Sequence, residues 1–91
     1  MADERTYDNV TAPMFDCVKT SGEKTLGTKF VPSDAHQGTA TTQSIVGEIV
    51  LSFDFDPQAS TLTYKILKKP LMVSANQIWD SIQVGIDRCR K

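Results

Sequence analysis

The sequence predicts an α+β domain: an antiparallel sheet of three to four strands with an N-terminal and a C-terminal helix packed on one face. Three observations lead there. Residues 48 to 69, EIVLSFDFDPQASTLTYKILKK, alternate apolar and polar, turn at Asp-Pro, and alternate again. Apolar residues recur at helical spacing on either side of this hairpin. At 91 residues the chain holds one modest core, so these elements must share it as a single domain, 1–91.

The first eight residues read as a flexible N-terminal segment, and MADERTYDNV is too acidic and polar for a signal peptide. A helix follows from about residue 9 to 21. Val10, Met14, Cys17, Val18 and Ser21 fall on one side, Pro13 sits in the first turn, Thr11 or Asp8 caps it, and Gly22 stops it. Residues 33–43, SDAHQGTATTQ, form a polar loop, in which GTATTQ supplies an edge strand, as does TKFVP at 28–32.

The central hairpin spans 45–55 and 61–69. Ile49, Leu51, Phe53 and Phe55 share its inner face with Leu62, Tyr64 and Ile66 of the return strand. Pairing Asp56 with Thr61 sets Phe55 against Leu62, Phe53 against Tyr64 and Leu51 against Ile66. On the outer face Val50 then meets Leu67, and Glu48 meets Lys69. A slip by one residue would put phenylalanines beside lysines, so this register is favoured.

The closing helix, 74–89, starts with a capping box of Ser74 and Gln77. Ile78, Ile82, Ile86 and Cys89 form its apolar stripe, and Gly85 beside them would admit a close backbone. Cys17 and Cys89 both fall on inward stripes. They either form a disulfide between the helices or remain two buried thiols. A bridge implies an extracellular or periplasmic setting, and its absence a cytoplasmic one.

Ten basic residues against eleven acidic ones argue against bulk electrostatic binding of nucleic acid, which needs a clustered basic face. No apolar run reaches the ~20 residues of a membrane span. Two cysteines and one histidine are too few for a zinc cluster, and Asp54 with Asp56 too few for calcium. No catalytic triad, metal site or cofactor cradle is expected. His36, in the polar loop, would act as a base only in a cleft beside an acid. Trp79 lies one residue off the isoleucine stripe, where it anchors a partner or covers the core border. Val46, Val50 and Leu67 form a small apolar patch on the outer sheet face.

Gln43–Gly47, QSIVG, resembles the Gln-x-Val-x-Gly loop of the cystatins, with isoleucine at the valine position and no matching tryptophan in a second loop after Pro70. The resemblance implies a loop that wedges into papain-like protease clefts. The expected function is a small non-catalytic binding domain. Its partner, a protein or a second copy of the chain, would sit on Val46, Val50, Leu67, Trp79 and His36. The alternatives are a cystatin-like inhibitor using Gln43–Gly47 and a self-associating structural module.

Overall fold

β1 (Glu4–Tyr7) opens the fold as an edge strand, antiparallel to β5 (Thr61–Lys68), with Arg5 opposite Tyr64 and Tyr7 opposite Leu62. The structure is a computed structural model that describes residues 4–31, 36–44 and 47–90. The flexible segment expected at 1–8 is therefore corrected over residues 4–7. Tyr7 is buried, and Thr6 and Thr63 share a hydroxyl hydrogen bond at 2.9 Å. This strand escaped the sequence reading because four residues give too little alternation to register.

Asn9 adopts a left-handed φ of 60°, and Val10 behind it donates its N–H to Ser60 O at 2.9 Å. α1 (Ala12–Leu26) then starts at Thr11, whose hydroxyl accepts from Met14 N. Thr11 is the cap and Asp8 is not. The helix also outruns its expected end. Gly22 lies inside it, and Gly27, at φ 68°, supplies the left-handed stop. Gly22 has a packing role instead: a Cβ there would stand 3.4 Å from the Phe30 ring.

β2 (Lys29–Val31), β3 (Gln37–Ser44) and β4 (Gly47–Asp56) follow. The sheet is wholly antiparallel in the order β1-β5-β4-β3-β2. Five strands thus replace the three to four expected. Residues 37–44 are a paired strand between β2 and β4, neither loop nor edge. Since β1 and β2 occupy opposite margins, α1 must cross the sheet face to join them.

The β4–β5 register is the expected one from Asp56–Thr61 through Phe55–Leu62 and Phe53–Tyr64 to Leu51–Ile66. Asp56 Oδ1 holds the turn by accepting from Gln58 N at 3.0 Å and Ala59 N at 3.2 Å. A register shift between Val50 and Leu51 then places Lys68 opposite Val50, where Leu67 was expected. The ion pair moves with it: Lys68 Nζ donates to Glu48 Oε1 at 3.2 Å. Lys69 instead donates to Val73 O at 2.8 Å.

α2 (Ala75–Arg88) carries the full Ser74–Gln77 capping box. Both helices lie on one face, where they share a single core with Leu51, Phe53, Phe55, Leu62 and Tyr64. Phe15 of α1 stacks on Phe55 with ring centroids 4.5 Å apart. Trp79 of α2 is 2 % exposed, and its carbonyl accepts from Tyr7 Oη at 3.1 Å. Cys17 and Cys89 are joined in a disulfide with Cα atoms 5.9 Å apart. Cys17 is exposed and Cys89 half-buried, so the bridge sits at the rim of the core, outside the inward stripe expected for Cys17.

Candidate functional site: a cleft between the helices

The two helices do not close over the whole sheet. Between them lies a cleft of about 570 Å³. Its α1 wall is Val18, Ser21, Gly22 and Thr25, and its α2 wall includes Ile78, Ser81, Ile82 and Gly85. The floor is the sheet itself, with Phe30, Ala40, Ile49 and Leu51. The side chains that would fill the space are small. A Cβ built on Gly85 meets nothing within 4 Å, so the close backbone approach expected there does not occur.

Besides Ser21, Thr25, Gln77 and Ser81, three polar features enter this surface. Thr28 and Thr42 satisfy one another through a hydroxyl hydrogen bond at 2.6 Å. Tyr64 lines the cleft, 3 % exposed, and no hydrogen bond to its hydroxyl is formed among the described residues. No enclosed side-chain N or O atom among those residues lacks a partner, so the Tyr64 hydroxyl is not fully enclosed. Burial pushes its pKa well above the ordinary tyrosine value, and Tyr7 adds to the rise. Arg88 is the third feature, at the rim on the last turn of α2. The disulfide lies one residue from both Val18 and Arg88, so it pins the helices together at that end of the cleft.

A second depression, open and polar, gathers His36, Gln37, Asp54 and Asp56 at the other end of the β3–β4 pair. His36 is exposed, as expected, yet its ring packs edge-on against Phe55 at 5.4 Å and Phe15 at 6.3 Å. Asp54 accepts from Gln37 Nε2 at 3.2 Å, and Asp56 is occupied by the turn amides. Among the described residues no hydrogen bond joins the imidazole to either acid.

The other expected contact residues are scattered. Trp79 is buried under β1, so it is not a surface anchor. Leu67 is 54 % exposed and Val50 half-buried, and the register shift parts them. Val46, like Ile45 of the QSIVG segment, lies outside the described residues. Gln43 and Gly47 both belong to strands, and Gln43 Nε2 donates to Glu48 Oε2 at 2.9 Å. Together with Lys68, that bond holds the Glu48 carboxyl below its ordinary range, the Lys68 hydrogen bond being the larger cause. Gly47 has φ 140°, and a Cβ there would lie 2.9 Å from Pro70 Cγ. Beyond Pro70, Leu71 and Met72 are 99 % and 81 % exposed.

The sequence reading missed the cleft. Its signal was the run of small residues, Ser21, Gly22 and Thr25 facing Ser81 and Gly85, at helical spacing on both helices. Comparison with protein-family models, with curated proteins and with solved structures returns no match. No helix among the described residues is long and apolar enough to cross a membrane.

Proposed function

We propose that this chain is a non-catalytic binding domain whose ligand is a small apolar molecule held in the cleft between α1, α2 and the sheet. The observation that carries the reading is the open apolar cleft itself. Its volume of about 570 Å³ falls in the ~300–1,000 Å³ range of small-molecule sites, and such sites pair apolar walls with a few polar groups. The Tyr64 side chain is one such group, lining the cleft with no hydrogen bond to its hydroxyl among the described residues. Small side chains on both helices maintain the opening, where larger ones would continue the core across it.

A non-catalytic role is supported by what the chemically able side chains are already doing. His36 serves as an aromatic packing element, and Asp54 and Asp56 hold a neighbouring amide and a turn. The disulfide supports an oxidising compartment, extracellular or periplasmic.

The test is NMR titration of the oxidised protein with a neutral apolar probe, 1-decanol. The expected shifts cluster at Ile82, Gly85, Thr42 and Tyr64. G85L places a leucine into open space and improves helix propensity, so it should fold and lose the binding. Absent binding, or shifts confined to Leu71 and Met72, overturns the proposal.

A further inference from the structure

We infer that the cleft selects apolar molecules that carry one carboxylate, with Arg88 as the residue that holds the head group. The inference rests on the cleft reading above and names the ligand class for it. Arg88 is the one charged residue among the described residues lining the cleft. Its guanidinium forms no ion pair or hydrogen bond among those residues. The two charges next to it in sequence are already engaged. Asp87 accepts from Gln83 Nε2 at 2.9 Å and pairs with Arg90 Nε at 3.6 Å, while Arg90 also reaches Asp8 O at 3.4 Å.

An always-protonated, uncommitted guanidinium at the mouth of an apolar space defines an amphipathic acid as the complement. The planar fork accepts a carboxylate through two parallel hydrogen bonds, a geometry a neutral hydroxyl cannot match. The chain of the ligand then runs over Leu51, Ile78 and Ile82, away from the disulfide end. The carbonyl end of α2 opposes an anion nearby, and direct pairing with the guanidinium outweighs that weaker, solvent-screened field.

The experiment compares decanoate with 1-decanol by isothermal titration calorimetry at pH 8, on the oxidised wild type, R88Q and R90Q. Decanoate should bind the wild type about tenfold more tightly than decanol, the gain of one charge-assisted contact. R88Q should bring the two to parity, and R90Q should keep the preference. Equal binding of both compounds to the wild type overturns the carboxylate selection and leaves the cleft reading standing. A preference that survives in R88Q also overturns it. If neither compound binds, the cleft reading itself falls, and this inference with it.

Discussion

Two parts of the space under the helices are built from the same sheet and end differently. Around Phe15 and Trp79 the space is filled: Phe15, Phe53, Phe55 and Trp79 are each 2 % exposed, and Phe15 touches both sheet phenylalanines. Beyond Phe30 the floor includes the smaller Thr28, Ala40 and Thr42, and the helices overhead set Ser21, Gly22, Thr25, Ser81 and Gly85 among Val18, Ile78 and Ile82. The difference lies in side-chain size in both layers: phenylalanines meet in the filled half, and small residues interrupt both walls and floor of the other. A small domain can therefore concentrate its cohesion in one half and leave the other open, with a covalent link where the helices meet.

The strongest way to break this contrast is to hollow the filled half. Phe15→Ala removes the ring stacked on Phe55 and should cost about 3–5 kcal/mol in urea denaturation. If the loss is under about 1 kcal/mol, the cohesion is not concentrated there. Replacing both Cys17 and Cys89 with serine frees a bridge 72 residues apart in sequence and should cost about 4 kcal/mol by loop entropy. Hydrogen exchange should then rise first on the two helix segments flanking the cleft.

A finer test uses Tyr64. Its hydroxyl makes no hydrogen bond among the described residues, so Tyr64→Phe at neutral pH should cost less than the ~0.5–1.5 kcal/mol of a net hydrogen bond. Alkaline pH separates the two proteins. The folded pKa lies above the ordinary 10.0, so the unfolded chain ionises first. The stability tied to this group is complete below pH 10 and declines as the pH climbs past it. Tyr7 is also raised, mainly by burial, so the substitution should flatten the alkaline loss without abolishing it. Unchanged alkaline melting curves would show that Tyr64 is solvated in the folded protein.

The hairpin was legible because apolar alternation and the Asp56–Pro57 turn agree on one register. Its far end was not, since a bulge leaves no mark in alternation until the partner strand is known. α1 was placed but cut short: Gly22 reads as a stop and instead serves close packing on Phe30. Phe15 was left off the inward stripe by one position, although it fills the centre of the closed half. β3 was legible as a strand, its β-branched threonines favouring one, but not as an inner one, since its pairing with β2 leaves no mark in either segment alone. The partner patch failed for a related reason. Trp79 stands one position off the isoleucines, and β1, which covers it, is too short to show in alternation. A cleft, finally, is a property of two helices jointly, and no single stretch of chain records it.

The pairing of β1 with β5 fixes an order of assembly. β2 finds its partner as soon as residues 39–41 leave the ribosome, whereas β1 waits unpaired until residues 62–65 arrive. Made before its partner, β1 is thus among the last strands to dock, and it caps Trp79 when it does.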